Sequence, residues 1–267
     1  MLTLMAVHAH PDDEVISTGG VLAKAAASGI RTVLVTCTNG EQGDGPGGVK
    51  PGEPGHDPAA VRELRLQELK KSAELLGIQH VELLGYADSG MDGWDANHAA
   101  DSFANVDLDA ATDRLVALME QYRPQVVVTY DENGGYGHPD HIQTHRVAVA
   151  ATDRTGIPDR LYYTAVPQSG LQMMFDYLKA SGLAEELGME EPMNFGVSDE
   201  MITTTVDVAQ YAEAKFEALR AHASQGDSIF LLQLPEEAKP IVFGAESFIR
   251  VRGEGPDKED DLFAGLA

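Results

Sequence analysis

Residues 2–14 read LTLMAVHAHPDDE, and the reading of this stretch decides the fold. LTLMAVHA (2–9) is a short apolar run closed by Pro11, the pattern of a buried strand. It ends in His10-Pro11-Asp12-Asp13-Glu14, a histidine and three consecutive acids. Adjacent carboxylates repel one another, and burying them is costly unless positive charge is near. Either these acids face water at a strand end or they surround a cation.

Working outward, residues 17–28 read as a helix stopped by Gly29, and RTVLVTCT (31–38) as a second strand rich in β-branched residues. The Gly- and Pro-rich stretch 39–58 is a long loop of the kind that carries function or moves. An amphipathic helix (59–77) leads to a third strand (80–86). A helix at about 109–122 leads to a fourth strand (125–130), then a helix from His138-Pro139 and a fifth strand (160–166). This alternation predicts an α/β, Rossmann-like, mostly parallel sheet with helices on both faces. The pattern loosens after residue 170: a helix near 171–186, a strand at 202–207, a helix at 208–223 and a strand at 246–252. The expected organisation is a catalytic core (1–170), a C-terminal extension packed on it (171–252) and an acidic tail (253–267).

The chain of 267 residues carries 19 Lys plus Arg against 43 Asp plus Glu, a formal charge of −24. Nucleic acid and anionic membrane surfaces are poor partners for such a protein. Cys37 is the single cysteine, so no intrachain disulfide or thiolate cluster forms, and it reads as a small buried strand residue. The N-terminus lacks the basic region and cleavage site of a signal peptide, and no segment has the length of a membrane span. The expected location is cytoplasmic.

Polar segments follow each of the first four strands: HAHPDDE, NGEQGD, ADSGM and YDENGGYGHPDH. In an open parallel sheet the carboxyl ends of the strands share one edge, where ligands bind. His10 and Asp13 are three apart, and so are His138 and His141 at a helix start where Pro139 is tolerated. Together the two pairs can supply three N and O ligands and leave a position for water, the layout of a catalytic zinc site. Asp12 beside Asp13 is then a candidate general base. Asp140, between the two histidines, is a candidate to orient a ring N–H. Glu14 reads equally well as a plain acid in a first helical turn.

AHPDDE (9–14) and GHPDH (137–141) resemble the LmbE-like (PIG-L) family of zinc-dependent deacetylases related to phosphatidylinositol N-acetylglucosamine deacetylase. The resemblance extends through Gly19-Gly20, Thr38-x-Gly40-Glu41-x-Gly43, Arg65-x-x-Glu68, Asp88-Ser89-Gly90-Met91, Tyr130-x-x-Asn133-Gly134-Gly135-Tyr136, Lys215 and AHASQ (221–225). YDENGGYGHPDH with DSGM is most similar to the branch acting on mycothiol or its precursor. The resemblance implies zinc, or iron(II) in the cell, on His10, Asp13 and His141. It implies Asp12 as general base and later acid, and His138 and Tyr136 as oxyanion donors. Arg65 and Asp88 would hold sugar or inositol hydroxyls, with Glu41 and Met91 also in the substrate site. The substrate implied is a small N-acetylglucosaminyl conjugate such as N-acetylglucosaminyl-inositol. An S-conjugate amidase and a deacetylase of another N-acyl amino sugar are the alternatives. Two features depart from the pattern: Ala87 stands where many members have Arg, and the Gly-rich loop after Glu41 is idiosyncratic.

Other readings are weaker. Gly43-x-Gly45-x-x-Gly48 formally matches a dinucleotide fingerprint, but Pro46, Pro51 and Pro54 surround it and no helix follows directly. That loop reads as a flexible rim or lid. No Gly-x-Ser-x-Gly elbow supports a serine hydrolase. A two-metal phosphoesterase needs further carboxylates, for which Asp12, Asp88 and Asp131 are available. A non-catalytic sugar-binding module would not need a base beside a full ligand set. His145 reads as a packed helix residue, His8 as a strand residue nominally on the face of His10, and His56 and Arg62 as surface residues.

Overall fold

The computed structural model describes residues 1–186, 188–225, 229–232 and 239–266. Its strands are β1 (Thr3–His8), β2 (Arg31–Thr38), β3 (His80–Tyr86), β4 (Val126–Thr129), β5 (Arg160–Ala165), β6 (Thr204–Asp207) and β7 (Ala245–Arg252). Its helices include α1 (Asp13–Ala27), α2 (Pro58–Leu76), α3 (Leu108–Tyr122), the short turn α4 (Gly134–Gly137), α5 (Pro139–Thr155), α6 (Gln168–Ala180), α7 (Leu183–Glu186) and α8 (Ala212–Ala221).

The strands form one sheet in the order β3-β2-β1-β4-β5-β7-β6. The first five run parallel, and β7 lies antiparallel between β5 and β6. Every residue of β1 is buried, and its side chains alternate between the two faces. Leu4 and Ala6 pack with Leu22, Leu34 and Leu69, whereas Met5 and Val7 pack with Leu115, Met119 and Val147. Helices therefore cover both faces, as the alternation of elements predicts.

The strand order also locates the crevice. From β1 the chain moves outward through β2 to β3, then returns to place β4 on the other side of β1. The loops leaving β1 and β4 thus diverge at a switch point, where an open α/β sheet binds its ligands.

Several boundaries differ from the sequence reading. Helix α1 starts at Asp13, four residues earlier than 17, because Asp13 and Glu14 suit the positive end of a helix. The expected helix at 171–186 is two, α6 and α7, broken at Ser181-Gly182 where Gly182 turns to φ 80°. The helix expected from 208 begins as a 3-10 turn (Ala209–Tyr211) before α8. The acidic tail is not loose along its whole length. Glu259 buries its side chain against Arg160, Arg250 (2.5 Å), Tyr162 (2.7 Å) and Thr204 (3.0 Å), and Leu262 and Phe263 join the core. Among the described residues no helix is long and apolar enough to cross a membrane.

Candidate active site

The two loops at the switch point bring His10, Asp13, His138, Asp140 and His141 together. His141 sits in the first turn of α5, and its Nδ1 donates to the carbonyl of Gly134 (3.1 Å). A carbonyl only accepts, so the ring proton is on Nδ1 and Nε2 offers a lone pair. That Nε2 lies 3.3 Å from His10 Nδ1 and 3.4 Å from Asp13 Oδ1. His10 Nε2 is 3.1 Å from Asp140 Oδ2, which likewise puts its proton outward and its Nδ1 lone pair inward, 3.3 Å from Asp13 Oδ2. With both rings neutral, three electron-pair donors thus face one another. Such an arrangement fits a divalent cation held by two imidazoles and a carboxylate. The three histidines can bring one ring nitrogen each within 4.8 Å of the others, and so can His10 and His138 with Asp88 and Asp140.

The electrostatics agree. Burial opposes a charge on His10, yet Asp88, Asp13 and Asp140 outweigh it and hold its pKa well above the usual value. Burial also opposes ionisation of Asp13, but His141 and His10 keep it well below the carboxylate range. The site demands positive charge.

Local geometry on the β4 side is tightly specified. Gly134 has φ 63°, and a Cβ there would come within 2.6 Å of the His141 Cβ, so only glycine lets its carbonyl reach the ring. The Tyr130 ring stacks on His141 with centroids 4.2 Å apart. His138 caps α5 through Nδ1, which accepts from the Asp140 N–H (3.1 Å), so its proton is on Nε2. Burial and the neighbouring His10 and His141 lower the His138 pKa to about 3, which keeps the ring neutral. Asp140 is fully buried and takes Ser89 N–H (2.9 Å) and the Ser89 hydroxyl as well as His10. The ring it meets is that of His10, on the opposite loop.

On the β1 side, Arg65 donates to Asp12 Oδ2 (2.9 Å), to the Pro11 carbonyl and to the Gly40 carbonyl (2.9 Å). Burial pushes Asp12 up to about 6 against the pull of Arg65. Asp88 accepts from Gly90 N–H and Gln42 N–H and lies 3.6 Å from His10 Nε2. Glu41 is partly buried, with an Oε2 that meets no partner among the described residues, and burial raises its pKa. Met91 and Tyr136 are exposed, Tyr136 with its ring centroid 5.0 Å from that of His141. The structure thus clusters Asp12, Arg65 and Asp88 with His10, Asp13 and His141. It leaves Met91 and Tyr136 with the greatest exposure to solvent among these residues.

Sequence comparison fits this geometry. The family model for GlcNAc-PI de-N-acetylases, PIG-L, matches residues 5–152. The 1D-myo-inositol 2-acetamido-2-deoxy-alpha-D-glucopyranoside deacetylase of Acidothermus cellulolyticus is 43% identical over 292 aligned positions, covering 99% of this chain and 95% of the relative. Its namesake from Streptomyces avermitilis is 40% identical, with 99% and 97% covered. The chain belongs to the PIG-L family.

Solved structures share its fold. The N,N'-diacetylchitobiose deacetylase of Pyrococcus horikoshii matches with a TM-score of 0.57 at 20% identity, covering 99% of this chain and 86% of that one. The 4-carboxy-2-hydroxymuconate hydratase GalB from Pseudomonas putida matches with a TM-score of 0.63 at 18% identity, over 96% and 98%. One fold serves both a deacetylase and a hydratase, so function in this PIG-L chain must be argued from its side chains.

Several supporting residues escape a reading by local spacing. His8 is fully buried between Tyr130 Oη (3.1 Å) and Thr18 Oγ1 (2.8 Å), beneath the ring that stacks on His141. Ser89 and Ser72 are small hydroxyls whose partners, Asp140 and Glu14, lie far away in sequence. Glu14 does enter the first turn of α1, but it is buried and paired with His222, 208 residues on. His145 packs as expected, its Nδ1 3.0 Å from the Tyr130 carbonyl oxygen and its ring against Tyr163. The fingerprint-like glycines lie in a turn bridged between Gly45 and Val49, and α2 starts only at Pro58. Asp131 Oδ1 accepts from the Asn133 and Gly135 N–H groups of its own loop.

Proposed function

We propose that this chain is a zinc-dependent deacetylase that removes the N-acetyl group from N-acetylglucosaminyl-inositol. The observation that carries the reading is the inward-facing set of His10 Nδ1, His141 Nε2 and Asp13, with Asp12 next in the chain. Full-length relatives named for that deacetylation supply the substrate class. His10, Asp13 and His141 would hold the zinc ion, with iron(II) as the alternative occupant. When bound, the ion acidifies water and polarises the acetyl carbonyl.

The remaining steps belong to side chains. Asp12 accepts a proton from the attacking water and returns it to the leaving amine, a role suited to a carboxyl raised to about 6. His138, neutral and with its proton on Nε2, donates to the oxyanion as the tetrahedral centre forms. Tyr136, exposed beside these rings, closes over the same oxygen. Asp88 and Glu41 present acceptors to sugar and inositol hydroxyls, with Met91 against the apolar edge. Arg65 acts chiefly through Asp12, since its guanidinium is committed to Asp12, Pro11 and Gly40.

The deciding experiment measures zinc content and free-amine release from N-acetylglucosaminyl-inositol, before and after chelation. About one zinc per chain, with release that stops on chelation and returns with metal, is the expected result. Bound zinc with amine release only from thiol-sugar S-conjugates, or only from other N-acyl sugars, would reassign the substrate. Absence of metal binding would end the reading.

A further inference from the structure

Asp12 has φ 113° and ψ −31°, a backbone region that a non-glycine residue occupies only when its surroundings impose it. The imposing group is Glu14, whose Oε2 accepts the Asp12 N–H at 2.9 Å. Glu14 is itself fixed from the far end of the chain. Its Oε1 takes Ser72 Oγ (2.5 Å) and His222 Nε2 (2.8 Å), and the side chains of Glu14 and His222 are both 0% exposed. His222 follows α8 and is fixed in turn by the residues just beyond it. Ser224 donates to Glu68 through N–H (3.2 Å) and Oγ (2.7 Å), while Gln225 brackets Asp44 through N–H (3.1 Å) and carbonyl (3.3 Å). The segment carrying His222 lies beyond residues 5–152, which the family model matches.

We infer that Glu14 and His222 form a positioning pair for Asp12, holding its backbone in the conformation from which the carboxylate acts. This inference rests on Asp12 being the base. The bond runs to the backbone amide of the base itself, so losing it frees φ rather than merely loosening a helix. The Glu14 and His222 side chains that anchor the bond are both fully buried. A displacement of about 1 Å at a reacting group costs on the order of 10²-fold in rate.

The test compares His222→Leu, His222→Gln, Ser72→Ala and Asp12→Asn for kcat, KM, zinc affinity by chelator competition, and thermal midpoint. His222→Leu is expected to lower kcat by about 10- to 100-fold. Its KM and zinc affinity should stay within about twofold of the parent, because neither substrate nor metal donors touch His222. His222→Gln keeps an N–H donor for Glu14 and should recover most of the rate, and Ser72→Ala should cost a few-fold. Unchanged kcat in His222→Leu, or a loss that merely tracks lost zinc, overturns the pair. If His222→Leu does not fold, Ser72→Ala with full kcat overturns it instead. Full activity in Asp12→Asn would remove the base. An inactive Asp12→Asn beside a fully active His222→Leu would remove only the positioning pair.

Discussion

Between Tyr130 and His141, functional side chains are steadied largely from within their own loop. Gly134 orients His141, Tyr130 stacks on it, and the Asp140 N–H fixes the tautomer of His138. Between His10 and Glu14, the local bonds from His10 N–H to Asp13 and from Asp12 N–H to Glu14 are in turn anchored by borrowed groups. Arg65 and Ser72 come from α2, Asp140 from α5 and His222 from beyond α8. A loop with internal supports can be read as a motif, and damage to it stays local. A loop with borrowed supports depends on the whole fold being in place.

The comparison can be broken at several points. Asp12→Asn should lower kcat by roughly 10²–10⁴ while zinc remains bound, measured by steady-state kinetics beside metal analysis. His141→Ala should do the reverse, lowering zinc affinity by more than the 10- to 100-fold typical of a lost outer partner. If both variants lose metal equally, the division of labour between the loops is wrong.

The support beneath Tyr130 is open to a pH test. Burial lowers the His8 pKa from 6.5 to about 4. The unfolded chain therefore binds a proton that the folded chain refuses between those values. The stability that neutral His8 contributes is full above pH 6.5 and is lost as pH falls towards 4, about 3 kcal/mol in all. His8→Gln should flatten that slope in urea unfolding, and an unchanged slope would place the acid sensitivity elsewhere.

Gly134→Ala sharpens the local side of the contrast. A side chain at φ 63°, pressing on His141, should cost roughly 1–3 kcal/mol of stability and weaken zinc binding while KM holds. The smallest effect concerns rate against pH. Asp12 must be ionised to accept a proton, so kcat/KM should fall as pH drops through a value near 6, lower still beside a bound cation. An acid limb above pH 7 would argue against Asp12.

The sheet, its polar edge and the paired motifs were legible because each rests on short-range patterning. Hydrophobic alternation marks β1, and spacing of three marks His10 with Asp13 and His138 with His141. Asp140 could be placed near a histidine ring by proximity alone, although the ring it meets lies 130 residues away. What spacing could not show is which distant group satisfies a buried one. Glu14 looked like an ordinary helix-start acid because nothing near it announces His222. The bonds from Arg65 to the carbonyls of Pro11 and Gly40 likewise leave no mark in a side-chain pattern. Nothing near Glu259 in the acidic tail announces its partners, which come from β5, β6 and β7.

Glu259 has a consequence at the margin of the sheet. Its backbone N–H and carbonyl bond to Thr203 and Thr205, beside the outer strand β6, while its carboxylate neutralises Arg160 and Arg250. A chain cut short before this residue would offer bare backbone groups to any extended segment and leave two guanidinium groups without an anion. Glu259 thus covers part of an exposed strand edge, and forms cut before it are expected to self-associate more readily, which light scattering would show.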